Sequence, residues 1–180
     1  MFRDHSLVPA EAIRLAALGF LAEGKQRYSE LARAVRELTS VVAGPSAELM
    51  AMPLELLRYE GLVVADAGDD PELRLSVAGH EALASLLRAG LRAPTSDLAR
   101  LGLVLKLRFL HHLPAAEQAD QLGLMIAACE RDLARIEELR EHHGHAAALL
   151  GEWLERDIDR AKARLALLRT RQTALSQRDC

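Results

Sequence analysis

A helical pattern over residues 47–60 ends at Gly61 and is followed at once by two short runs of strand-forming residues. Ser46 is placed to cap the start of this helix, and Gly61 favours its end because glycine adopts the left-handed conformation cheaply. The runs at residues 62–65 and 73–75 flank an acidic turn, which is typical of a β-hairpin. This order predicts a winged helix-turn-helix, whose third helix enters a DNA major groove with the hairpin beside it as a wing.

Two shorter helical patterns precede this stretch, over residues 9–21 and 29–38, and residues 25–27 form a short polar link between them. Together with the helix at 47–60 they predict the three-helix core of a helix-turn-helix. A fourth helix is predicted over residues 78–91, after the second strand.

Breaker residues at positions 93–96 predict a boundary between a DNA-binding domain over residues 1–92 and a helical domain over residues 93–180. The helical run over residues 98–110 is apolar around nearly its whole circumference. A helix of this kind is usually buried on all sides, so we interpret it as a strut between the domains. It is too short and too charged to span a membrane.

Heptad spacing then continues along two long helical patterns, over residues 114–142 and 146–176, which predict an antiparallel hairpin. Their apolar stripes could close within one chain or across a dimer. We assign four residues of the last helix to a dimer interface: Leu154, Ile158, Leu165 and Leu168. The predicted fold class is mainly α with a small two-stranded β-wing.

The composition permits a packed core, because half of the 180 residues are hydrophobic and 27% are charged. The N-terminus has no apolar signal segment, which indicates a cytoplasmic protein. Residues 1–92 hold 10 basic and 13 acidic residues, so they carry the whole formal charge of −3. Any basic face for DNA must therefore be local.

The expected contacts with double-stranded DNA come from the helix-turn-helix and the wing. Basic side chains and hydroxyl groups would bind phosphates, and two small or apolar residues would contact thymine methyl groups. The candidates are Lys25, Arg27, Tyr28, Ser29, Arg33, Arg36, Ser46, Met50, Ala51 and Arg74. The acidic wing and Pro53 inside the third helix leave open an alternative, a winged-helix module that binds protein instead of DNA.

A small apolar effector is expected to bind in the C-terminal half, where Phe109, Met125 and Trp153 are candidates for lining its pocket. The alternative is that these residues are simple core. Cys129 lies on a heptad stripe and is interpreted as a buried small hydrophobe.

Histidines are grouped at positions 111–112 and 142–145, but no cysteine or carboxylate completes a familiar metal-ligand spacing. We therefore predict no metal and no other cofactor. Phosphate-binding loops, zinc-protease motifs and serine elbows are also missing from the sequence, so we do not expect an enzyme.

Three stretches resemble the PadR family of bacterial transcriptional regulators: Tyr-Ser-Glu-Leu-Ala at residues 28–32, Leu-Glu-Leu-Leu-Arg-Tyr-Glu-Gly-Leu-Val at 54–63, and the wing exit at 73–83. The resemblance covers most of the chain. It implies a cytoplasmic homodimer that binds a palindromic DNA operator, acts as a repressor and responds to a small molecule through its C-terminal helices.

Overall fold

The computed structural model describes residues 7–43, 54–68, 70–144 and 147–177. Within these ranges the helices are α1 (Pro9–Ala22), α2 (Tyr28–Ala43), α3 (Leu54–Tyr59), α4 (Val77–Arg88), α5 (Asp97–Phe109), α6 (Ala115–His143) and α7 (Ala148–Ser176). The strands are β1 (Gln26–Arg27), β2 (Val63–Ala65) and β3 (Glu72–Leu75), and a 3₁₀ helix spans Leu110–His112. None of the helices in these ranges combines the length and the apolar character needed to cross a bilayer.

The predicted fold class, mainly α with a small β-wing, is confirmed, but the sheet has three strands instead of two. β2 and β3 form the expected antiparallel hairpin, with Val64 opposite Arg74. The polar link adds β1 to the other edge of β3, with Gln26 opposite Leu73. A two-residue polar strand has no periodicity to reveal it, and the open edge of β3 supplies its hydrogen bonds.

The junction between α3, the wing and α4 is held by backbone hydrogen bonds. Gly61 has φ 72°, and the amides of Gly61 and Leu62 donate to the carbonyl oxygens of Arg58 and Leu57. This is the Schellman arrangement expected at a glycine helix end. Ser76 caps α4 by accepting from the Gly79 amide at 3.0 Å, while its own hydroxyl donates to the Gly61 carbonyl.

Among the predicted helix limits, the C-terminal ends of α2 and α4 differ most from the structure, and α4 ends at Arg88 instead of residue 91. α2 continues to Ala43 instead of ending at residue 38, and Thr39 on its last turns is buried, with its hydroxyl donating to the Val35 carbonyl at 2.8 Å. α3 is described from Leu54 onward. The predicted cap Ser46 and the first part of the helix at 47–60 lie outside the described residues.

The chain divides into two compact units, and α5 belongs to the first of them. The first unit comprises the described residues up to Gly90 together with Ser96–Leu113, and the second comprises Leu91–Thr95 and the described residues from Pro114 onward. This division differs from the predicted boundary at residues 92 and 93. α5 packs on α1 and α2 within the first unit and buries most of its apolar residues there, although Leu107 is 40% exposed. Its role as a strut between domains stays a prediction.

Lys106 is a buried lysine of α5 whose ammonium group lies at the end of α4. Its Nζ donates to the Leu87 carbonyl at 2.7 Å and also to the Ala89 carbonyl. The last carbonyl groups of a helix lack partners within the helix, so the buried ammonium group caps them. Burial lowers the pKa of Lys106 from 10.5 to about 8.

We expect the free energy of unfolding to depend on pH because of this buried lysine. Between about pH 8 and 10.5 the unfolded chain holds a proton that folded Lys106 has lost, so the free energy of unfolding rises with pH. From pH 7 to pH 10, wild type should gain about 2 kcal/mol over Lys106→Met, at roughly 1.4 kcal/mol per pH unit. Denaturant unfolding of both proteins at both pH values measures this gain. A difference that does not change with pH would contradict it.

The second unit is an antiparallel hairpin of α6 and α7. Leu122, Met125 and Cys129 of α6 are buried in it. Ion pairs join the exposed flanks of the two helices, including Arg169 with Glu130 at 2.6 Å. The predicted hairpin is therefore present, and the apolar stripes of its two helices meet within one chain.

Candidate nucleic-acid interface

The winged helix brings the predicted basic residues onto α2 and the sheet. Arg33 and Arg36 are exposed one turn apart on α2, and Arg74 is exposed on β3. Arg27 on β1 and Lys25, just before this strand, are also exposed. These exposed cations thus come from separate elements of the first unit, α2 and the sheet.

These cations differ in how far acidic neighbours neutralise them. Lys25 forms an ion pair with Glu72, and the charge of Arg27 contributes to lowering the pKa of a wing carboxyl. Within the described ranges, Arg33, Arg36 and Arg74 are exposed and form no ion pair. Among the described residues, these three arginines are therefore cations of the winged helix whose charge no ion pair offsets.

The N-terminus of α2 is occupied by a carboxylate from the wing. The backbone amide of Ser29 donates to Asp70 Oδ1 at 3.0 Å, and the Ser29 hydroxyl donates to Asp70 Oδ2 at 2.9 Å. The hydrogen bond from the Ser29 amide, followed by the one from the Ser29 hydroxyl, lowers the pKa of Asp70 below its usual 3.8. Asp70 thus takes the place of an anion at a helix N-terminus, where a DNA phosphate would otherwise bind.

Tyr28 is also engaged within the protein. Its hydroxyl donates to Glu55 on α3 at 3.1 Å, and its pKa is raised, first by burial and then by this carboxylate. Two of the three hydroxyl groups predicted to bind phosphates, those of Tyr28 and Ser29, therefore already have partners, and the third, Ser46, lies outside the described residues. Neither contact was visible in the sequence, because Ser29 and Asp70 are 41 positions apart and Tyr28 and Glu55 are 27 apart.

The predicted base-contacting residues, Met50 and Ala51, lie outside the described residues, as does Pro53. The described part of α3 presents an exposed face and a buried one: Leu57 is fully buried, whereas Tyr59 is 91% exposed. An open groove of about 430 Å³ lies between this face and β2.

The family model of AphA-like transcriptional regulators matches residues 2–171 of the chain. The chain belongs to this family. It is therefore a transcriptional regulator and not an enzyme, and the functional class predicted from the sequence is confirmed. No curated protein sequence matches this AphA-like regulator significantly.

Solved structures of PadR-family regulators are similar to the AphA-like regulator over most of its length. Bacillus subtilis PadR in complex with operator DNA is 16% identical, with 91% of this chain and 97% of that chain covered and a TM-score of 0.38. The same protein in complex with p-coumaric acid is 16% identical, with 95% and 99% covered and a TM-score of 0.36. A PadR-like transcriptional regulator from Bacillus cereus is 14% identical, with 92% and 99% covered and a TM-score of 0.40.

The three residues predicted to line an effector pocket lie in two different units, and the pocket stays a prediction. Phe109 is fully buried in the first unit of the AphA-like regulator, with its ring 5.3 Å from that of Phe20. Met125 is fully buried in the second unit, and Trp153 is 57% exposed there, near the opposite end of the hairpin.

The four residues predicted at the dimer interface are covered within one chain. Leu154, Ile158, Leu165 and Leu168 are at most 3% exposed, on the face of α7 that packs against α6. The alternative left open by the sequence, closure within one chain, is therefore the one observed. Cys129 belongs to the same core, and burial raises the pKa of its thiol.

Proposed function

We propose that this AphA-like regulator binds a DNA operator through α2, α3 and the wing, and represses transcription from it. The observation that carries the proposal is the set of exposed arginines on the winged helix that form no ion pair with any described residue: Arg33, Arg36 and Arg74. Phosphate contacts by such residues supply most of the sequence-independent affinity for DNA. Because the proposed target is chromosomal DNA, the proposal also locates the protein in the cytoplasm.

In this arrangement α3 enters the major groove, while α2 and the wing contact the flanking backbone. Arg33 and Arg36 bind phosphates on one side of the groove, and Arg74 binds from the wing. Base contacts by Met50 and Ala51 remain part of the proposal.

An electrophoretic mobility shift tests the proposal, with DNA from upstream of the protein's own gene and the salt concentration varied. We expect retardation at low salt that weakens steeply as the salt concentration rises, because binding releases counterions from the DNA. No retardation at low salt would contradict DNA binding. It would favour the alternative, a module that binds protein through the acidic side of the wing, where Asp66, Asp70 and Glu72 lie.

Asp70→Asn should strengthen DNA binding. Asparagine keeps an oxygen that can accept a hydrogen bond from the Ser29 amide. It removes the negative charge from the N-terminus of α2, where a phosphate would bind. We expect about tenfold higher affinity at low salt, equivalent to roughly 1.4 kcal/mol.

Fluorescence anisotropy with labelled operator DNA measures the change in affinity. Asp97→Asn is a matched control, because this exposed carboxylate lies in the first turn of α5 and pairs with Arg100 of the same helix. Equal affinities for Asp70→Asn and wild type would show that Asp70 does not compete with a phosphate.

We further propose that the regulator is a homodimer, which matches two half-sites of an operator, and that a small apolar effector changes its affinity for DNA. Since α6 covers the predicted stripe of α7, the partner chain must use other faces. Exposed apolar side chains on the hairpin, including Leu149 and Trp153, support such an interface. Sedimentation of the full chain tests the dimer, and a monomer at micromolar concentration would contradict it.

A further inference from the structure

Glu23, His111 and His112 come together at one end of the first unit. Glu23 follows α1 directly, and the two histidines lie in the 3₁₀ helix that follows α5. One carboxylate oxygen and one nitrogen of each ring lie within 4.8 Å of one another. The two ring centroids are 4.1 Å apart, and His111 Nε2 is 4.0 Å from Glu23 Oε1.

The second histidine has an unsatisfied nitrogen. His112 Nε2 is buried and has no hydrogen-bond partner in the part of the chain that the structure describes. Buried polar atoms normally have a hydrogen-bond partner, so this nitrogen is available to bind a ligand. The pKa of His112 is lowered by burial and by the charges of His111, His80 and Arg108, against an opposing effect of Glu23.

Arg108 sets the kind of cation that the cluster can bind. Its guanidinium group donates to both oxygens of Glu23, with 2.8 Å between Nη2 and Oε2. Each carboxylate oxygen has a second lone pair, so Arg108 can orient Glu23 without preventing coordination. Because Arg108 offsets the carboxylate charge, the imidazole nitrogens dominate the affinity. Imidazole ligands favour transition metals over Mg²⁺ or Ca²⁺.

We infer that Glu23, His111 and His112 form a binding site for a divalent transition-metal ion, represented by Zn²⁺. Two histidines and one carboxylate are a known zinc ligand set in sites that keep a coordination position open. The ion links the end of α1 to the 3₁₀ helix after α5, within the first unit. The site goes beyond the proposed DNA binding and does not depend on it.

Isothermal titration of the untagged full chain with ZnCl₂, in the presence of excess MgCl₂, tests the site. We expect one Zn²⁺ per chain and no competition by Mg²⁺. His111→Ala and Glu23→Gln should each weaken binding more than about tenfold, since loss of even an outer-shell partner costs roughly that much. The side chain of His111 is 56% exposed, so its removal leaves the core intact.

His142→Ala is the matched control, because this exposed histidine lies on α6 in the second unit, outside the cluster. It should bind Zn²⁺ as wild type does, and circular dichroism shows whether each variant is folded. Absence of stoichiometric binding to wild type would overturn the inference. So would a folded His111→Ala variant that binds Zn²⁺ as tightly as wild type.

Discussion

Replacing Arg33 and Arg36 together by glutamine should lower the affinity for operator DNA about 100-fold at low salt. Each arginine is exposed and free of ion pairs within the described residues, so each can give a phosphate a charge-assisted hydrogen bond. One such bond contributes roughly 1.5–3 kcal/mol, and losing both gives at least the stated change. The slope of log affinity against log salt concentration should fall by about 2, since each lost phosphate contact removes roughly 0.9.

Fluorescence anisotropy over a range of salt concentrations measures the affinity and the slope. Arg156→Gln with Arg171→Gln is a matched control: it removes the same charge from two exposed arginines of α7 in the second unit. The control should bind DNA as wild type does. If both double variants lost affinity equally, net charge would explain the effect, and α2 would not be the contact surface.

Gly79→Ala should destabilise the first unit by about 3 kcal/mol. A Cβ atom at Gly79 would lie 2.1 Å from the carbonyl oxygen of Leu62, and this oxygen accepts a hydrogen bond from the Ser76 amide at 3.0 Å. A backbone oxygen held in this way cannot move aside without breaking the junction of α3, the wing and α4. The cost should therefore reach the upper end of the usual range for overpacking.

Urea unfolding followed by circular dichroism measures this loss. Gly123→Ala is the control, because its nearest neighbour is the flexible end of Gln172, with Nε2 at 3.3 Å. Alanine also favours a helix interior by roughly 1 kcal/mol, so this variant should be as stable as wild type or more so. A loss below about 1 kcal/mol for Gly79→Ala would mean that α4 shifts away from Leu62 with little strain.

Local signals explain why the sequence predicted the wing and its junction. Gly61 ends α3 through hydrogen bonds to residues close in sequence, so its residue type alone indicates its role. Ser76 also caps α4 through a local bond, but this cap was not predicted. The periodicity of α7 likewise identified its buried face. It could not show which helix covers that face, because a heptad stripe packs equally well on its own chain or on a partner.

Contacts between distant residues could not be predicted. The wing carboxylate of Asp70 reaches the start of α2, and Glu23 reaches two histidines 88 and 89 positions further along the chain. The paired histidines were noticed in the sequence, but their third ligand is supplied by the packing of α1 against α5. Such sites depend on tertiary structure, and the spacing of residues in the sequence does not encode them.

Hydroxyl-radical footprinting of the full chain on the DNA upstream of its gene tests the central claim most directly. A dimeric winged-helix regulator should protect two stretches related by a dyad, with centres separated by a whole number of helical turns of about 10 base pairs. The Arg33→Gln, Arg36→Gln variant should lose both protected stretches, while the α7 control keeps them. Uniform cleavage at low salt and high protein concentration would contradict DNA binding by this surface.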